Sequence, residues 1–134
     1  MKKFLSALCF AYGLVACSTS PTVPDEPLQD RYWRVVEIDG KAVQAAANKS
    51  EPHVVLASDL RAHGSDGCNR FNGSYTLVDG LRFGHLASTM MACVPPVDSM
   101  ARAFSSALSA TASYRIKGKQ MSLLDADDRV RLRL

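Results

Sequence analysis

From Asp30 to Leu134 the chain is written mostly at a period of two, in short apolar runs punctuated by turn residues. Side chains of an extended strand point alternately to opposite faces, so this pattern buries one face of a sheet and wets the other. Tyr32-Trp33-Arg34-Val35-Val36-Glu37-Ile38 reads as one strand ended by Asp39-Gly40, and Val54-Val55-Leu56 as a second. Leu60 to His63, stopped by Gly64, makes a third. Ser74 to Val78 and Leu81 to Phe83 flank Asp79-Gly80, a dipeptide that favours a tight hairpin because the turn needs positive φ. Tyr114 to Lys117 and Met121 to Leu124 flank Gly118-Lys119, and Arg129 to Leu134 ends the chain in near-ideal alternation.

One segment breaks the rhythm. Val97, Met100, Phe104, Ala107 and Leu108 recur at helical spacing, with Arg102, Ser105, Ser106 and Ser109 elsewhere around the turn. Pro95 and Pro96 suit its beginning, where a missing backbone donor costs little. The expected fold is therefore α+β: mostly antiparallel, a curled or barrel-like sheet with one amphipathic helix covering an open face or end.

The first residues carry an address. Lys2 and Lys3 precede an apolar run from Phe4 to Ala16, too short to span a bilayer as a helix and laid out like a secretory signal. Its end, Leu14-Val15-Ala16-Cys17, resembles the lipobox of bacterial lipoproteins. That resemblance implies removal of residues 1–16, a diacylglyceryl thioether on Cys17 and an acylated new amino end. Each buried CH₂ of such chains contributes roughly 0.8 kcal/mol, enough in sum for firm attachment to a membrane. Ser18 and Thr19 follow with no Asp, which by the same resemblance points to the outer membrane, facing the periplasm. Residues 17–29 then read as a lipidated cysteine and a proline-rich, solvated tether.

Charge and sulfur narrow the function. The 134 residues carry a formal net charge of +3, and loss of Lys2 and Lys3 leaves 14 basic against 13 acidic groups. Bulk attraction to nucleic acid has no support in that balance. An apolar share of 47% with 22% charged residues excludes a disordered chain, a coiled coil and a multi-pass membrane protein. Beyond Cys17, the mature chain keeps Cys68 and Cys93, an even pair that in an oxidising compartment is a disulfide candidate.

The most distinctive run is Gly67-Cys68-Asn69-Arg70-Phe71-Asn72-Gly73-Ser74-Tyr75, followed by Leu86-Ala87-Ser88-Thr89-Met90-Met91-Ala92-Cys93. With Trp33 near the start and the helix around Phe104, these residues resemble the META domain of the HslJ-like bacterial lipoproteins, over residues 30–134. The resemblance implies a small antiparallel β domain with one helix, linked to heat shock and novobiocin tolerance and with no established catalytic reaction. Trp33, Gly67, Asn69, Arg70, Gly73 and Thr89 are then motif residues with a structural role. Two departures stand out: Met90 where the family carries Arg or Lys, and Ala101 where it tends to carry Glu, as though a charge pair had been lost together.

Chemistry must be weighed against architecture. The glycine-cysteine-asparagine run clusters a thiol, an amide and Arg70, but Gly67 and Gly73 suit unusual backbone conformations and Asn69 suits a turn that its own side chain satisfies. A nucleophilic Cys68 would need to be free, with a basic neighbour such as His63. His53, His63 and His85 match no compact zinc spacing, and no catalytic motif or cofactor cradle is present. No catalytic residue, metal site or cofactor is expected. Arg129, Arg131 and Arg133 share one face of the last strand and form a candidate partner surface for an anionic envelope component; the blander reading is an edge strand protected by charge. Three functions remain: a non-catalytic envelope lipoprotein acting through contacts with a protein or envelope component, a carrier of small apolar ligands, and a thiol-dependent enzyme. A bonded Cys68 and a filled interior favour the first, an apolar cavity the second, a free reactive thiol the third.

Overall fold

The computed structural model describes residues 22–44 and 50–134; the signal segment, Cys17 and the first part of the tether lie outside the described residues. The fold is α+β, as the periodicity predicts. A first sheet contains β1 (Tyr32–Arg34), β4 (His53–Leu56), β5 (Arg61–Ser65), β6 (Arg70–Thr76) and β7 (Arg82–Ser88), in the order β1-β4-β5-β6-β7. A second contains β2 (Glu37–Ile38), β3 (Lys41–Ala42), β8 (Ser113–Lys117), β9 (Gln120–Leu124) and β10 (Val130–Arg133), in the order β3-β2-β10-β9-β8. Every pairing is antiparallel, and each sheet keeps two edge strands, so neither closes on itself.

The first apolar run is not one strand but two. Val35 donates its N–H to the Pro52 carbonyl beside the first sheet, and Val36 donates to Arg133 in the second. Adjacent residues of one extended segment thus serve different sheets, placing Trp33, Val35 and Ile38 in a single core.

Helix α1 (Val97–Ala110) follows the cis Pro95–Pro96 peptide and lays Val97, Ala101, Phe104, Ala107 and Leu108 against that core. The Phe104 ring meets Phe71 of β6 with centroids 5.7 Å apart. Phe104 and Tyr75 are each 1% exposed, so large side chains, not a void, occupy the middle of the domain. Ala101 faces inward too, whereas Met90 is 96% exposed. An acid at 101 would sit against the core and need a partner there.

Turn chemistry behaves unevenly. Asp39-Gly40 forms a two-residue hairpin loop, both residues at positive φ as the dipeptide predicts. Asp79 and Gly80 also take positive φ, yet the loop between Thr76 and Arg82 holds five residues, so the expected tight hairpin is a wider one. Gly64 does not end β5; it sits inside the strand, pressed against the His53 carbonyl oxygen where a Cβ has no room.

The tether reading of residues 17–29 is corrected at its far end. Gly118 donates its N–H to the Asp25 carboxylate (2.6 Å), and its carbonyl accepts from the Glu26 N–H (2.8 Å). Trp33 Nε1 donates to the Leu28 carbonyl at 2.9 Å, and the Gln29 amide donates to the buried Tyr75 hydroxyl at 2.6 Å. Asp25 to Gln29 is therefore docked chain, not solvated spacer, because its backbone and side chains find partners on the domain.

Candidate functional site

The motif run is built around the turn from β5 to β6. Ser65 accepts from the Gly67 N–H (3.1 Å), and the Asp66 carboxylate accepts from the N–H groups of Cys68 and Asn69. Gly67 takes φ +91°, and a Cβ there would lie 2.7 Å from Met100 Cε on α1. The turn needs glycine for its conformation, whereas the Met100 methyl end could move aside.

Asn69 does not satisfy its own turn, contrary to the sequence expectation. Its side-chain oxygen accepts from the Thr89 hydroxyl at 3.1 Å and the Met91 N–H at 2.7 Å. The Thr89 hydroxyl in turn accepts from the Arg70 N–H at 3.1 Å. Cys68 and Cys93 are joined as a disulfide with Cα atoms 6.1 Å apart. The motif is thus a staple between the turn and the segment leading into α1. Gly73 also has a role different from the expected one: it lies in β6 without positive φ, and a Cβ there would approach the His85 carbonyl oxygen to 2.5 Å. Ser65 and Asp66 were missed by sequence reasoning, although an Asp two and three residues ahead of the amides it receives is an Asx-turn signal.

The edge-strand reading of the last strand is corrected. β10 is the middle strand of its sheet, flanked by β2 and β9, and so is not an edge. Its guanidinium groups, and that of Arg129 just ahead of it, are paired with carboxylates. Arg129 meets Asp125 (3.0 Å) and Asp127 (3.2 Å), Arg131 meets Asp39 and Asp125, and Arg133 meets Glu37 at 3.1 Å. Burial alone would raise the Asp125 carboxyl, but the N–H groups of Arg129 and Asp127 and the Arg129 guanidinium outweigh it and hold the carboxyl below its ordinary range. The hydrogen bond to Asp39 raises Arg131 against the effect of burial. Elsewhere, desolvation and then the Glu51 carboxylate raise the Tyr32 phenol.

A groove of about 580 Å³ runs between the β2–β3 hairpin and the first half of α1, floored by Ile38, Ala42, Val97, Met100 and Ala103, with Asp39 and Lys41 at its rim. Among the described residues, no group of three or more His, Cys, Asp or Glu is placed to hold a metal, and no helix is long and apolar enough to cross a membrane.

These features define a small two-sheet α+β domain whose one motif is a disulfide-locked staple. The META domain family model matches residues 26–134, and the chain belongs to the META domain family. The match begins within the docked segment, ahead of Asp30. A solved structure of a protein from Burkholderia xenovorans is similar at 27% identity and TM-score 0.64, covering 99% of this chain and 96% of that one. A second NMR structure is similar at 27% identity and TM-score 0.62, covering 79% of this chain and 89% of the other. No curated protein matches the chain.

Proposed function

We propose that the chain is a non-catalytic lipoprotein of the bacterial cell envelope, anchored through Cys17 in the outer membrane and facing the periplasm. Its META domain supports tolerance of heat and antibiotic stress by contacting a protein or envelope component. The observation that carries this reading is the Cys68–Cys93 disulfide, which uses both remaining thiols of the processed chain for architecture and suits an oxidising compartment. The secretory layout of residues 1–16 supports the same address.

The test is complementation of a deletion strain challenged with heat or novobiocin. The parent chain restores survival and Cys17→Ser does not, while mass analysis finds the parent's mature chain beginning at an acylated Cys17. An unacylated amino end, or full rescue by Cys17→Ser, overturns the proposal.

A second reading, a carrier of small apolar ligands, rests on the groove between the β2–β3 hairpin and α1, whose size lies within the usual range of about 300–1,000 Å³ for ligand pockets. Ala103→Phe fills that groove, so saturable binding of a fluorescent apolar probe that this change abolishes favours the carrier.

A further inference from the structure

A second candidate surface lies on the first sheet, rich in arginine and histidine. The five strands of the first sheet carry Arg34, His53, Arg61, His63, Arg70, Arg82 and His85, and not one Asp or Glu. These include all three histidines of the chain. Strand alternation turns Trp33, Val54, Ala62, Phe71 and Tyr75 into the core, which leaves the intervening positions on the outer face. Register then aligns Arg34, His53, Ser65 and Arg70 in one cross-strand row, and Val55, His63 and Asn72 in the next.

Between these rows lies a hollow of about 410 Å³ whose polar lining is Ser50, His53, His63, Ser65, Arg70 and Asn72, without a carboxylate. The nearby acids are committed to other partners. Glu51 pairs with Arg34 at 3.2 Å, and Asp66 is buried beneath the Cys68 and Asn69 amides. Among the described residues Arg70 has no ion-pair partner, in contrast to every arginine of β10.

We propose that the outer face of the first sheet binds the phosphate group of an organic phosphate in the hollow between His53, His63, Arg70 and Asn72. The Arg70 guanidinium offers a planar fork of donors that matches a phosphate edge, and the His63 ring, the Asn72 amide and the Ser50 hydroxyl add N–H and O–H donors. His53 forms a fixed wall: its Nδ1 lies 2.8 Å from the Glu51 carbonyl oxygen, and its ring stacks on Tyr32 with centroids 4.4 Å apart. The hollow is larger than a bare phosphate needs, so part of the organic group has room within it.

Two sources share this chemistry, a soluble phosphate ester and a phospholipid headgroup, and two probes separate them. The processed chain, residues 17–134 carrying Cys17→Ser and so neither signal segment nor acyl groups, is titrated with glycerol phosphate by NMR and sedimented with phosphatidylcholine vesicles with and without phosphatidylglycerol. Binding to glycerol phosphate but not glycerol, with shifts at His63 and Asn72, marks a soluble ester as sufficient. Binding only to the phosphatidylglycerol vesicles marks the headgroup. In either case Arg70→Gln and His63→Gln each weaken binding at least about tenfold, as loss of a charge-assisted or direct hydrogen bond requires, while Arg70→Lys restores part of it and Arg133→Gln changes nothing. The exposure of Arg70 and His63 lets these variants fold. Failure of both probes to bind, or binding insensitive to Arg70→Gln, overturns the proposal. Neither result bears on the anchor, which is tested separately through Cys17.

Discussion

The side-chain oxygen of Asn69 accepts the Met91 N–H at 2.7 Å across 22 positions of sequence, holding the segment ahead of α1 against the turn between β5 and β6. Asn69→Ala removes that acceptor and the partner of the Thr89 hydroxyl together. Because Met91 and Thr89 are exposed and water replaces part of the loss, the expected cost is about 1–2 kcal/mol. Chemical denaturation reads the cost, and faster amide exchange at Met91 locates it.

The disulfide reinforces the same junction. Cys68 and Cys93 are 25 residues apart, and closing a loop of that length in the unfolded chain stabilises the fold by about 3–4 kcal/mol in the chain-entropy treatment. The double change to Ser lowers stability by that order, and reductant shifts the parent's denaturation midpoint but not the variant's. A parent midpoint indifferent to reductant would falsify the estimate.

Gly73→Ala tests close approach apart from backbone conformation. Gly73 has no positive φ, so an added methyl is strained only by the His85 carbonyl and Leu86 it would strike. The expected loss is about 1–3 kcal/mol, the range for overpacking. Gly40→Ala provides the contrast: its Cβ meets nothing within 4 Å, and its cost comes from φ +78° alone.

Asp125 sets an acid dependence. Burial works to raise its carboxyl, but the Arg129 and Asp127 N–H groups and the Arg129 guanidinium bring the folded-state pKa below the ordinary value. The resulting stabilisation is complete above the unfolded value of about 3.9 and is lost as pH falls through the folded-state value. Asp125→Asn is therefore less stable than the parent at neutral pH, with the gap closing below about pH 4. Denaturation series at several pH values measure that gap; a constant difference across them contradicts the assignment.

Much of the fold was legible because its cause is local. The alternation in Met121 to Leu124, the Asp39-Gly40 turn and the helical spacing through Phe104 each express a backbone geometry that a few neighbouring residues impose. The motif run and the Cys68–Cys93 pairing were legible as a unit, but the direction of Asn69 was not. Its partner lies on another strand's exit, and an amide that can satisfy a local turn can equally reach a distant N–H.

What the sequence determined by itself was the mostly antiparallel α+β class, the single helix and its buried face, and the pair of thiols available for bonding. Only the tertiary structure decided that Val35 and Val36 split one run between two sheets, that Asp25 to Gln29 docks, and which arginines keep their charge unopposed. Those outcomes depend on neighbours brought from far along the chain: Asp39 and Glu37 neutralise β10, whereas antiparallel register gathers His53, His63 and Arg70 where no strand supplies a carboxylate. Period-two patterning says which face a charge occupies, but the strand beside it sets the potential on that face.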